Sequence, residues 1–239
     1  MPFFAHLHEL RRRIIYSLIA VACTTCLCYA FSPQLFDFLR RPLAALPSQK
    51  MIVLGPLEMF MTYIKIAVTG GLFLASPMFL LQLWLFVAPG LYPHERRWLL
   101  PFVVAGSLCF CGGAAFCFYA VLPSSFAYLI DMVPLAVEAH YSVAAYYALI
   151  LHLMLAFGVV FELPLVLVLL AAAGVVTAES LSRFRRIWCV LALVIGGVLT
   201  PTPDPLTQML MAGPLIVFFE LGILGARLLG RQRLPAVPG

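Results

Sequence analysis

Charge is scarce in this chain. Only 10% of its 239 residues are Asp, Glu, Lys or Arg, while 64% are hydrophobic, and the mean hydropathy is +1.04. Soluble domains average about 25% charged and about 45–50% apolar residues, so the composition excludes a soluble globular protein and leaves an integral membrane one. Lysine is nearly absent, with Lys50 and Lys65 the only two. No phosphate-cradling loop ending in Gly-Lys-Ser/Thr is present, nor a His-Glu-x-x-His or Gly-x-Ser-x-Gly motif. These absences remove the usual handles for nucleotide-driven or hydrolytic chemistry, and no enzyme is expected. His6, His8, His94, His140 and His152 are scattered, and all seven cysteines lie in apolar runs, where a thiol behaves as a small hydrophobe. Cys23 and Cys26 have the spacing of a metal or redox pair but lack companion ligands, so neither metal nor cofactor is expected. The formal charge of +5 does not imply nucleic acid; how it is shared among the loops matters more.

What is present is a series of long apolar runs. Phe3, Phe4, Leu7, Leu10 and Ile14 recur at steps of three and four, predicting a short amphipathic helix over residues 1–13 at the membrane interface. It leads into a first span over 14–31, too continuous for a cleavable signal or an organellar transit segment. A proline-rich loop over 32–56 follows, with partial helical patterning at Leu35, Phe36, Phe38 and Leu39. The second span, 57–87, exceeds the roughly 30 Å hydrocarbon core, and Pro77 offers a kink that would absorb the excess. Trp84 and Trp98 flank the polar turn at 89–97 and read as interface anchors. The third span covers 98–121 and ends before Pro123; residues 124–142 read as a loop with some helix. The fourth covers 143–176. The fifth (187–199) and sixth (206–224) are short, joined by the proline-rich connection 200–205.

Six spans put both termini on one side of the membrane. Eleven arginines fall on that side, at positions 11–13, 96–97, 183, 185, 186, 227, 231 and 233, while the other side holds Arg40, Arg41 and Lys50. The positive-inside bias therefore places both termini, including the tail 225–239, in the cytoplasm and puts 32–56 on the opposite side as the first loop there. The chain reads as one membrane domain over 1–239.

The candidate functional residues are carboxylates. Glu162 is the only charge between residues 146 and 176, and an ionised group at bilayer depth costs at least a few kcal/mol, so it marks a bundle interior or a wet cavity. Glu9 and Glu95 stand at the cytoplasmic mouth beside arginines. Two readings compete for this pair. Each is neutralised locally, Glu9 by Arg12 or Arg13 and Glu95 by Arg96, or together they accept a cationic ligand, for which guanidinium is the best-matched group.

These residues occur in blocks that resemble the TatC family, the multispanning core of the twin-arginine protein translocase. His6-Leu7-His8-Glu9-Leu10-Arg11 is similar to the family's opening. Further blocks follow in order: Pro77, Gln82, Trp84 and Phe86; Pro89-Gly90-Leu91-Tyr92 with Glu95-Arg96-Arg97; Phe161-Glu162-Leu163-Pro164; Thr200-Pro201-Thr202-Pro203-Asp204-Pro205 with Gln208; and Glu220. Leu81, Phe219 and Thr207 depart mildly from the family's usual residues at those positions.

The resemblance implies six transmembrane helices in a curved, cup-like bundle and a location in the bacterial inner membrane. It implies that Glu9, Glu95, Arg11, Phe86, Leu91 and Tyr92 bind twin-arginine signal peptides of folded precursors. It places Glu162 on the concave wall, assigns Asp204, Gln208 and Thr202 to contact with TatA- and TatB-type single-span partners, and matches Pro42 to a proline of the first periplasmic loop. Self-association in a multi-copy complex and drive by proton-motive force are implied with it. The rival expectation is a secondary transporter using Glu162 and Lys65 as a relay, against which stands the lack of inverted repeats.

Overall fold

The computed structural model describes residues 3–44, 50–87, 99–131, 140–172, 174–199 and 205–230. They are almost wholly helical. α1 (Phe3–Ala30), α2 (Ser32–Leu39) and α3 (Arg41–Ala44) come first, followed by α4 (Glu58–Leu74) and α5 (Ser76–Val87). Next come α6 (Leu99–Phe116), a π-helical turn (Cys117–Val121) and α7 (Leu122–Asp131), then α8 (Val143–Phe161), α9 (Leu163–Ala172), α10 (Ala178–Leu199) and α11 (Pro205–Gly230). Two three-residue strands, β1 (Lys50–Ile52) and β2 (His140–Ser142), pair in parallel with Met51 opposite Tyr141.

Among the described residues four helical stretches are long and apolar enough to cross a membrane: Leu7–Ala30, Leu100–Leu129, Val143–Ala172 and Gln208–Arg227. Glu58–Leu74 and Ser76–Phe86 make a fifth if the pair, bent by 54°, is one span. The break falls at Ala75, two residues before Pro77, whose missing N–H and bulky ring suit the first turn of α5 rather than a helix interior. Outward-facing side chains such as Leu18, Leu100, Leu108 and Val198 are more than 60% exposed, as expected where the surrounding solvent is lipid.

The amphipathic helix runs into the first span without a break, as α1. The structure corrects three other expectations. The third helical stretch passes Pro123 and continues to Asp131, because the π turn carries the Leu122 N–H to the Cys117 carbonyl and widens the helix just where the proline ring needs room. The last two helices are not short: α10 begins nine residues before Ile187, and α11 spans 26 residues with Pro214 inside it. Trp84 is no interface anchor; it is 4% exposed and its ring lies 4.3 Å from that of Phe102 on α6. Trp98 lies outside the described residues.

The main core joins α2, α4, the π turn, α7 and α8 around Ile66, Phe118, Tyr147 and Phe157. Buried tyrosines fasten α2 to α8, since the Tyr146 hydroxyl donates to the Leu39 carbonyl at 3.1 Å and that of Tyr147 to the Phe36 carbonyl at 2.8 Å. α1 meets α4 backbone to backbone at Gly71. A Cβ there would sit 2.7 Å from the Thr25 main chain, and the Thr24 hydroxyl donates to the Gly71 carbonyl at 2.8 Å. Small residues at such crossings let helices approach closely where lipid offers no hydrophobic drive.

Candidate functional site

Polar side chains gather in several zones among the described residues. At the end where α1 begins, Glu9 and Arg13 lie one turn apart on α1 and face α5. Arg13 Nη2 donates to Glu9 Oε1 at 3.2 Å and Nη1 donates to Gln82 Oε1 at 3.1 Å. Both charged side chains are about a quarter exposed, and Gln82 is buried. Arg13 Nε is buried with no hydrogen-bond partner among the described residues. Of the two readings open in the sequence, local neutralisation is therefore realised for Glu9, by Arg13. Arg12 turns instead to the Tyr16 hydroxyl at 3.2 Å, and Arg11 is exposed. Phe86 is half-buried at the end of α5, on the stretch that carries Gln82. Glu95, Leu91 and Tyr92 lie outside the described residues.

In the second zone, Glu162 is the single non-helical residue between α8 and α9. Its N–H bonds the Val159 carbonyl at 3.1 Å in a tightened last turn, and its carbonyl accepts from Val166 at 2.9 Å. Pro164 follows in the first turn of α9, where a missing N–H costs nothing. The side chain is 9% exposed and Oε1 has no hydrogen-bond partner among the described residues. It is directed at α6: a Cβ at Gly106 would lie 3.3 Å from Oε2 and 3.0 Å from the Leu80 and Leu165 side chains. Glycine at 106 thus makes the space that the carboxyl group occupies. Lys65 is exposed on α4, and no ion pair or hydrogen bond joins it to Glu162.

α10 and α11 form the third polar zone. Gln208 Nε2 donates to the Leu193 carbonyl at 3.0 Å, and Gly196 and Gly197 give its residue room. Trp188 Nε1 donates to the Leu215 carbonyl at 3.2 Å, and Arg185 pairs with Glu220 at 2.7 Å, the last being an exposed contact of small energetic weight. Thr202 and Asp204 lie outside the described residues. Pro42 is buried in α3.

One functional-looking residue was visible in the sequence only as a charge at a span's edge. Glu58 Oε1 accepts from the Ser142 hydroxyl at 2.8 Å and the Ala144 N–H at 2.7 Å, while Oε2 accepts from the N–H groups of Leu54 and Gly55. It thereby caps the N-terminus of α8 from another helix, beside the β1–β2 pair. A carboxylate in the first turn of a helix was the only signal, and nothing local names its partner 84 residues on.

Comparison with known proteins points one way. The sequence profile of the family described as "Sec-independent protein translocase protein (TatC)" matches residues 5–214. Proteins named Sec-independent protein translocase protein TatC are similar over nearly the whole chain. The one from Desulforapulum autotrophicum is 39% identical, covering 97% of this chain and 86% of its own length. That from Aquifex aeolicus is 38% identical over 98% of both, and that from Escherichia coli is 38% identical over 95% and 88%. Two crystal structures of a twin arginine translocase receptor, TatC, superpose with TM-scores of 0.83 and 0.84. They share 38% and 39% identity, covering 94% and 92% of this chain and 99% and 98% of theirs.

Proposed function

The chain belongs to the TatC family of Sec-independent protein translocase proteins, and on that footing we propose that it is the receptor that reads twin-arginine signal peptides. Coarsely, it is a multi-pass inner-membrane component of Sec-independent protein translocation, in a family of translocase subunits rather than enzymes. In the finer reading it is one membrane domain with six spans: α1, the bent α4–α5 pair, the α6–α7 stretch, α8–α9, α10 and α11, curved into a cup. The arginine bias puts both termini in the cytoplasm and residues 32–56, with Pro42, outside.

The observation that carries the reading is the pairing of Glu9 with a guanidinium in the first turns of α1. The carboxylate is partly shielded by α5, so its attraction for guanidinium is stronger than in water. A signal-peptide arginine would engage Glu9 by exchanging with Arg13 rather than by filling an empty site. Glu95, Arg11, Phe86, Leu91 and Tyr92 complete that surface, with Glu95 taking the second arginine. Lysine, a point charge without a planar fork, competes poorly for such a pair.

Glu162 serves as a polar mark on the concave wall, facing a signal or partner helix. Thr202, Asp204 and Gln208 meet TatA- and TatB-type subunits; copies of the chain assemble together and translocation draws on proton-motive force. Export of a twin-arginine precursor tests the recognition step. Glu9→Ala and Glu95→Ala should each block export while the protein still inserts, and wild-type export by either would refute the assignment.

A further inference from the structure

Beneath α2 lies a cavity of about 570 Å³, lined by α1, α2, α4, the stretch through Tyr119, and α8. Its walls are nearly all apolar, among them Leu35, Phe38, Ile66 and Phe118. It is not sealed. Ile66 and Phe118 are 1% and 4% exposed and form the floor, whereas Leu74 and Tyr119 are 53% and 70% exposed. Leu74 and Tyr119 stand in membrane-crossing helices, so the mouth opens sideways among lipid tails. The volume falls within the roughly 300–1,000 Å³ of pockets that hold a small ligand.

We propose that this cavity is a phospholipid site, with an acyl chain beneath α2 and the headgroup phosphate held by Arg40 and Arg41. Charge and size choose this occupant. Phe38 is both a wall of the cavity and the platform for the Arg41 guanidinium, which stands 5.2 Å from its ring centre, while Phe38 itself stacks on Phe118 at 4.7 Å. Arg40, next to the lining residue Leu39, is exposed like Arg41. Asp37 is also exposed on α2 and leaves residues 37–41 with one net positive charge. Guanidinium matches phosphate with two parallel N–H donors. An inserted peptide helix fits less well: it is about 10–12 Å wide, and the space under α2 is closed at its floor by the buried Ile66 and Phe118. An extended acyl chain is thinner and needs no backbone partners. The inference rests on the membrane placement of the chain and not on how it reads signal peptides.

Native mass spectrometry of the full chain in mild detergent, with phosphatidylglycerol added back to delipidated protein, tests it. Wild type should hold one phosphatidylglycerol at detergent concentrations that strip bulk lipid. Ala115→Trp, at an exposed position on the cavity wall, should lower the bound fraction at least tenfold. The surface variant Arg40→Gln/Arg41→Gln, with its helix content unchanged by circular dichroism, should lower it about fivefold and remove the preference over phosphatidylcholine. Wild type without retained phospholipid would overturn the proposal. So would retention unchanged in the double arginine variant, or stoichiometric displacement of the lipid by a twin-arginine signal peptide, which would give the cavity to the peptide.

Discussion

The Arg13 guanidinium sits 3.2 Å from the Glu9 carboxylate and 3.1 Å from Gln82 Oε1, so the first carboxylate proposed to receive a signal arginine already holds one of the chain's own. The contact ties α1 to α5 and sets the energy an incoming ligand must match.

Removing the internal competitor should therefore help binding. An ion pair of this exposure is worth about 0.5–1 kcal/mol. Arg13→Gln should then tighten twin-arginine peptide binding by roughly two- to fivefold, measured by fluorescence anisotropy on protein in nanodiscs. Weaker binding by a folded Arg13→Gln protein would mean that Arg13 belongs to the receptor surface instead.

Glu58 carries a prediction about stability rather than recognition. Its carboxylate accepts four N–H and O–H groups from two separate segments, and Glu58→Ala strands the Ser142 and Ala144 donors at the start of α8. The thermal midpoint in detergent should drop clearly, with Glu58→Gln intermediate because the amide keeps one acceptor. Peptide binding at the far end of the bundle should be little changed. A midpoint equal to wild type in Glu58→Ala would show that the clamp is idle.

Glu162 separates size from charge. Glu162→Gln keeps the shape that fits against Gly106 and should retain most export, whereas Glu162→Lys places a longer cation at bilayer depth, at a cost of about 2.5–3.5 kcal/mol. Export assays and membrane abundance measured together decide the matter. Equal loss of export in both variants at normal abundance would make an exchangeable proton essential.

Much of the helical scaffold was legible because apolar runs of this length have few alternatives, and Glu162 stood out as a lone charge. Three features were not legible, each for a physical reason. Helix α6–α7 outruns Pro123 because a π turn, which has no sequence signal of its own, relieves the ring. α10 starts in a segment that reads as polar and basic, since a helix can extend past its apolar part with Arg183, Arg185 and Arg186 exposed. The long-range partners of Glu58 and Arg13 come from tertiary packing, through strands of three residues and a glutamine 69 residues away. Helical spacing offered Arg12 or Arg13 as the partner of Glu9 without choosing between them, and packing against Gln82 selects Arg13. Spacing could not say whether that pair excludes or precedes a ligand.

Site-specific photocrosslinking decides that question most directly. A photoreactive residue placed beside Glu9, on exposed Arg12, would be challenged with a signal peptide carrying its arginine pair and with the same peptide carrying two lysines. The account predicts a strong adduct with the arginine peptide, at least tenfold less with the lysine peptide, and loss of the difference in Glu9→Gln. Equal adducts from both peptides, or an arginine preference that survives Glu9→Gln, would contradict it.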